Sequence, residues 1–287
     1  MSDRVGVWSM ELRGAARPAV RDAAAELGEL GWKTLWLPGL DGTGVLDDVD
    51  QLLAAAPGSR VVTGVLNIWG QTPAELSRRV AELDRAHGAR TVIGLGIGSP
   101  AGARARGLDY GNPLTTMKHY LDDIDASVLP RERLLLGALG PRMVDLAAAR
   151  TGGWHPFLVT PGYVAEQRKR VGAEPFLAPH QAVVLDTDPE RARAAARAGI
   201  GMFLGFPTYQ QNLRRIGFTD EDFVPGGSDR LIDAVVAHGS AEDIARRVRE
   251  HRDAGADHVA LHVLRTPGAS GLPLAEWREL AALTRES

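Results

Sequence analysis

Along this chain one unit recurs: apolar residues at helical spacing, a glycine, then a short β-rich apolar run. In residues 18–30, Val20, Ala24, Leu27 and Leu30 fall on one helical face, and Gly31 leads into Lys33-Thr34-Leu35-Trp36-Leu37. In 74–87, Leu76, Val80 and Leu83 do the same before Gly88 and Thr91-Val92-Ile93-Gly94-Leu95. Residues 141–151 precede Gly152-Gly153 and the run from Trp154 to Val159, and residues 240–254 precede Gly255 and His258-Val259-Ala260-Leu261-His262-Val263. Apolar recurrence at three and four residues predicts amphipathic helices, and a glycine just past each predicts a left-handed cap. The runs that follow are almost continuously apolar, as strands covered on both faces are.

The remaining segments keep the alternation. Val5-Gly6-Val7-Trp8 predicts a first strand and 47–56 a helix. Leu114, Met117, Leu121, Ile124 and Val128 predict an amphipathic helix before Leu134-Leu135-Leu136-Gly137. Ala182-Val183-Val184-Leu185 predicts a strand, with Asp188-Pro189 opening the next helix. Eight strands result, near residues 4, 33, 60, 91, 133, 155, 181 and 257. Eight βα units in 287 residues predict an α/β protein with a (β/α)8 barrel over a single domain, 1–287. The alternative is a doubly wound sheet, but no G-x-G-x-x-G follows the first strand. Between the seventh and eighth strands lies an insertion, about 199–239, carrying Phe203, Phe206, Tyr209, Asn212 and Phe218 and a Pro225-Gly226-Gly227 break. Insertions of this size on such scaffolds cover a site or build an interface.

The stretch RVVTGVLNIWGQTP, residues 60–73, is the most irregular of the strand ends. Its β-branched start suits a buried strand, and Gly64 breaks it. Thr72, Pro73 and Glu75 then spell a helix start: a capping threonine, a proline in the first turn and the glutamate of a capping box. An interrupted strand that ends in polar and aromatic residues is where α/β proteins place ligands. Two glycine-rich loops accompany it, GLGIG at 94–98 and GALGP at 137–141. The second opens a helix, whose free N–H groups attract phosphate; equally, turns in such folds need glycine without any ligand. Trp36 reads as core, whereas Trp69, beside the broken strand, reads equally as core or as the edge of a ligand ring.

Composition narrows the chemistry. A net charge of -3 implies no general attraction to nucleic acid or an anionic membrane. The absence of cysteine excludes disulfides, thiolate metal sites and a cysteine nucleophile. No apolar run reaches transmembrane length and no secretory signal pattern is present, so a cytoplasmic protein is expected. No metal site is expected: His258 and His262, four apart on a strand, stand roughly 13 Å apart, and there is no H-E-x-x-H. No G-x-S-x-G supports a serine hydrolase. His155, in Gly-Gly-Trp-His-Pro, either bonds a substrate carbonyl or relays a proton, or simply bonds neighbouring backbone.

With these elements placed, the chain resembles the luciferase-like barrel superfamily of flavin- and deazaflavin-dependent oxidoreductases, in particular the group classed as coenzyme F420-dependent. TGVLNIWGQTP, VIGLGIG, ALGPRMVDLAAARTGGWHPFLVTP and GFPTYQQNLRRIGFTDEDF carry the resemblance, in this order over nearly the whole chain. It implies a non-prolyl cis peptide at Gly64-Val65 supporting the deazaflavin ring, with Asn67 at the ring's polar edge. It further implies Gly96 and Ile97 against ring or ribityl chain, and Ala138, Leu139 and Gly140 around the phosphate, with Thr160 as an additional donor. The cofactor implied is coenzyme F420, with FMN as the alternative, and the partners implied are a small organic substrate and a second copy in a homodimer. One position departs from the resemblance. Where related proteins carry an acid after the second strand, this chain has Gly39, so Asp41 or His155 takes the proton-handling role, or none is needed. The rivals are an FMN-dependent monooxygenase on the same barrel and a cofactor-free, non-catalytic barrel.

Overall fold

The structure is a computed structural model and describes residues 3–40 and 42–285. The chain divides into two compact units, Ser9–His155 and a second made of Met1–Trp8 with Pro156–Ser287. In chain order the strands are β1 (Val5–Trp8), β2 (Thr34–Leu37), β3 (Arg60–Thr63), β4 (Leu66–Asn67), β5 (Thr91–Gly96), β6 (Leu134–Leu136), β7 (Gly153–Trp154), β8 (Phe176–Leu177), β9 (His180–Val184), β10 (Val236–His238) and β11 (Val259–Val263). Helices alternate with them, as the apolar spacing predicts.

In the Ser9–His155 unit every pairing is parallel. β2 pairs β3, β3 pairs β5, β5 pairs β6 and β6 pairs β7, with Leu35 opposite Val61 and Gly94 opposite Leu135. β4 resumes beside β5 after the break at Gly64, placing Leu66 opposite Leu95. β2 and β5 are buried along their whole length. Helices Arg17–Glu29, Val45–Ala55 and Pro73–His87 cover this sheet with Leu27, Leu52, Leu53, Leu76 and Val80, all fully buried. Arg90 ties the far ends of these elements together by donating to the carbonyls of Leu53, Ala56, Ser59 and His87 at 2.6–3.0 Å.

The second unit has the strand order β10-β9-β11-β1, again parallel, with Ala182 opposite both Val236 and His262. Its core joins Ala182 and Val184 to Ala195, Ile200, Leu204, Leu231 and Ile232 from the helices that follow β9.

Three details differ from the sequence expectation. The run after Trp154 does not continue as strand: Pro156 lacks an N–H and Leu158 has φ 53°. Residues 199–204 continue the helix Pro189–Leu204, with Gly199 admitting Leu264 so closely that a Cβ would lie 2.6 Å from its Cδ2. Within the expected insertion, helices Pro207–Arg215 and Asp229–Val235 are followed by β10, a strand that starts straight from a helix with no glycine to announce it. Among the described residues no helix is long and apolar enough to cross a membrane.

Candidate active site

The break at the end of β3 falls within the Ser9–His155 unit. Gly64 donates its N–H to Leu37 O at 2.7 Å, the Gly64-Val65 peptide is cis, and Val65 O accepts the N–H of Gly39 at 3.0 Å. Thr63 Oγ1 donates to Gly94 O at 2.8 Å, so the chain stays tied to β5 as it turns. Val65, half-buried, lays its isopropyl group over β5 and the end of β6. A Cβ added to Gly96 would sit 2.5 Å from Val65 Cγ2, and one on Gly137 3.1 Å from the same methyl. A Cβ on Gly94 would sit 2.2 Å from Thr63 O. The two glycine loops therefore have a reason within the protein: they form the cradle that holds the bulge. Gly96 itself is buried, and Ile97 beside it is half-buried.

Beyond the bulge, Asn67 turns its side chain partly inward. Its Oδ1 accepts the N–H of Trp69 at 3.1 Å and caps the short 3-10 turn Ile68–Gly70, while Nδ2 lies 3.5 Å from Leu40 O. Trp69 donates Nε1–H to Ile97 O at 2.6 Å and stands against Tyr110, ring centres 5.8 Å apart. Trp69 is thus the strut between the loops after β4 and β5, and half-buried rather than core. The capping box expected at Thr72 and Glu75 is present on helix Pro73–His87. On its outer side this region lines a groove of about 440 Å³ with Trp69, Gln71, Leu108 and Tyr120 among its walls. Tyr120 donates to Gln71 O at 3.1 Å, and its burial pushes the phenol up to about 12.

The glycine at position 39 has a steric cause. A Cβ there would lie 2.3 Å from Val65 O and 2.6 Å from Leu66 Cα, both main-chain atoms. No side chain fits at 39 while the bulge stands where it does, so a carboxylate is barred from that point. Asp41 lies outside the described residues.

His155 is buried at 2% exposure and stacked on Trp36, ring centres 4.5 Å apart and planes 23° apart. Its N–H donates to Leu136 O at 2.8 Å, extending the β6–β7 pairing by one residue. Ala138 and Leu139 are buried, and Gly140 precedes helix Pro141–Arg150 with no side-chain cap. Thr160, in the second unit, caps helix Pro161–Val171 by accepting the N–H of Tyr163 at 3.3 Å, which leaves its hydroxyl proton to donate.

Two constellations escaped the sequence reading. Arg13 gathers the loop after β2, a role invisible without knowing where that loop lies. In the second unit His180 Nε2 lies 3.1 Å from His262 Nδ1, boxed by Trp8 and Phe157. Burial pushes the His262 imidazole down to about 3, so it is neutral at pH 7. His258, four residues before it, bonds Asp3 O instead. Among the described residues no group of three or more histidine, aspartate or glutamate side chains is arranged to hold a metal.

The sequence model of the luciferase-like monooxygenase family matches residues 118–258. A 5,10-methylenetetrahydromethanopterin reductase of Methanolobus tindarius is 25% identical over 247 residues, covering 69% of this chain and 75% of the relative. A Mycobacterium tuberculosis protein provisionally named as a coenzyme F420-dependent oxidoreductase is 26% identical over 299 aligned residues, 78% of this chain and 82% of its own length. The solved structure of a coenzyme F420-dependent tetrahydromethanopterin reductase from Methanopyrus kandleri superposes with a TM-score of 0.74 at 15% identity, covering 99% of this chain and 98% of that one. At that identity the likeness establishes the fold. Residues 118–258 are thus similar to the luciferase-like family, and the named relatives are oxidoreductases.

Proposed function

We propose that this protein is an oxidoreductase that uses coenzyme F420 to move a hydride between the deazaflavin and a small organic substrate. The observation that carries this reading is Val65, held over Gly94, Gly96 and Gly137 with its outer face half-open. The residues present fit such a group. An apolar, rigidly seated side chain suits the face of a flat ring, and the uncapped start of helix Pro141–Arg150 suits a phosphate. The name of the Mycobacterium tuberculosis relative supports the same cofactor.

When bound, the deazaflavin supplies two-electron hydride transfer at C5. The protein's share is positioning. Val65 and Gly64 support the ring, Asn67 offers its amide to the polar edge, and Ile97 flanks it. The backbone of Ala138, Leu139 and Gly140 holds the phosphate. With position 39 barred to any side chain, proton handling falls to His155 or Asp41. A homodimer is the assembly we propose by the same resemblance.

Fluorescence titration of the purified protein with coenzyme F420, with FMN as competitor, tests this reading. F420 binding that is weakened by Gly140→Asp, whose carboxylate repels the phosphate, is the expected result. The second reading is an FMN-dependent monooxygenase, whose reaction class is the one the family description names. Binding of FMN without F420 would move the protein there, and binding of neither would leave a cofactor-free barrel.

A further inference from the structure

We infer that Arg13 is a positioning residue for the Val65 platform, clamping the loop after β2 against the bulge; the inference rests on the cofactor reading above. Arg13 sits in the short helix Glu11–Gly14, which is itself fixed at the end of β2. Ser9 donates its N–H to Trp36 O at 3.2 Å, and its hydroxyl accepts the N–H groups of Glu11 and Leu12 at 3.1 and 3.3 Å. From there the guanidinium, 11% exposed, makes four contacts with one loop and its helix. Nη1 donates to Pro38 O at 3.1 Å and Gly39 O at 3.2 Å, Nη2 to Thr43 O at 2.6 Å, and Nε to Asp48 Oδ2 at 2.9 Å.

The opposite side of the same loop rests on the bulge. Gly39, whose carbonyl Arg13 holds, gives its N–H to Val65 O at 3.0 Å. Leu40 O receives the Asn67 amide, and the Cα of Gly42 packs so near Gly70 that a Cβ on Gly70 would approach it to 2.9 Å. One glycine thus connects the guanidinium to the peptide on which the platform turns. Leu40, between these anchors, is left-handed at φ 45° and 53% exposed, a conformation that bulky residues keep only where the surroundings impose it. Only a planar fork of donors reaches two adjacent carbonyls, a third across the loop and a carboxylate at once. A lysine ammonium at the same place cannot.

Hydrogen exchange and cofactor titration on full-length Arg13→Met and Arg13→Lys test the inference. Both variants should exchange at least about tenfold faster at the amides of Gly39 and Gly42, which are bonded to Val65 O and Gly39 O, with β5 still protected. Both should bind coenzyme F420 about tenfold or more weakly, the loss expected for charge-assisted bonds that fix a binding surface. Methylguanidinium added to Arg13→Ala should restore both. Unchanged exchange in the loop overturns the clamp, and faster exchange with unaltered cofactor affinity overturns its role at the platform. If the unmodified protein binds neither F420 nor FMN, the cofactor reading fails, and the exchange arm decides the clamp by itself. A variant that does not fold is replaced by Arg13→Ala refolded with methylguanidinium, and failure of that rescue counts against the inference.

Discussion

Replacing Gly96 by alanine should destabilise the protein through a single neighbour, and removing that neighbour should undo the damage. The new Cβ would stand 2.5 Å from Val65 Cγ2, more than an ångström inside ordinary carbon contact. Valine has little freedom to turn away, because its χ1 is stiff and its methyls also lie 3.1–3.3 Å from where Cβ atoms on Gly94 and Gly137 would be. The overlap should cost about 1–3 kcal/mol, as overpacking does. In a Val65→Ala background the nearest Val65 atom left is its Cβ, at 3.5 Å, an ordinary contact, so the same change should cost under about 0.5 kcal/mol. Val65→Ala alone should cost about 1 kcal/mol, two methyls on a half-buried side chain. Urea midpoints of the four proteins, followed by tryptophan fluorescence, give the coupling, expected at about 1–2 kcal/mol. Gly94→Ala is the control: its Cβ meets Thr63 O at 2.2 Å, a main-chain atom that Val65→Ala leaves in place. Additive costs for Gly96→Ala and Val65→Ala would refute the cradle.

Acid should weaken the fold in a defined window. Burial, with Arg247 adding for His251, pushes His251 and His262 down to about 3, whereas unfolded histidine titrates near 6.5. Between those values the unfolded chain binds the extra protons, so stability falls as pH falls, by up to about 1.4 kcal/mol per unit for each histidine. His262→Phe should reduce that slope between pH 6 and 4 in urea titrations, and an unaltered slope would sink the assignment. Arg90→Met should lower stability by about 2–4 kcal/mol, since it strips donors from four carbonyls; a thermal midpoint within a degree of the parent would contradict this. Thr72→Ala should cost about 1 kcal/mol by opening the capping box, while Thr72→Ser should cost much less, which denaturant midpoints will separate.

How far the sequence carries the structure depends on the range of each signal. Several local signals hold: Thr72 and Glu75 announce the helix starting at Pro73, and Gly31, Gly88 and Gly255 have the positive φ expected after apolar faces, whereas Gly152, expected to cap the helix before it, does not. Signals needing two distant segments were not legible. The loop glycines drew attention as possible ligand contacts, yet what fills the space at Gly96 is a valine thirty-one positions earlier, and only the register of β4 on β5 reveals it. β10 lacks any local mark, because helix Asp229–Val235 runs into it without a break. Arg13 and the His180–His262 pair are likewise products of pairing, since single arginines and histidines carry no spacing to read. The Gly64-Val65 cis peptide was legible only through resemblance; the composition around it says no more than that a strand ends.

The main-chain contact at Gly39 also limits what this protein can become. Most substitutions that add a functional group need room for a side chain, and neighbours can make that room by shrinking. Here the obstacle is Val65 O and Leu66 Cα, which no replacement of a neighbour's side chain can move. An acid at 39 is therefore unreachable by any single exchange, for selection and for a designer alike. The accessible route is the next position. Leu40 is exposed and already left-handed, the conformation that aspartate and asparagine tolerate better than leucine does. Beyond the Asp41 the loop already carries, a further proton donor has room at position 40 and none at 39.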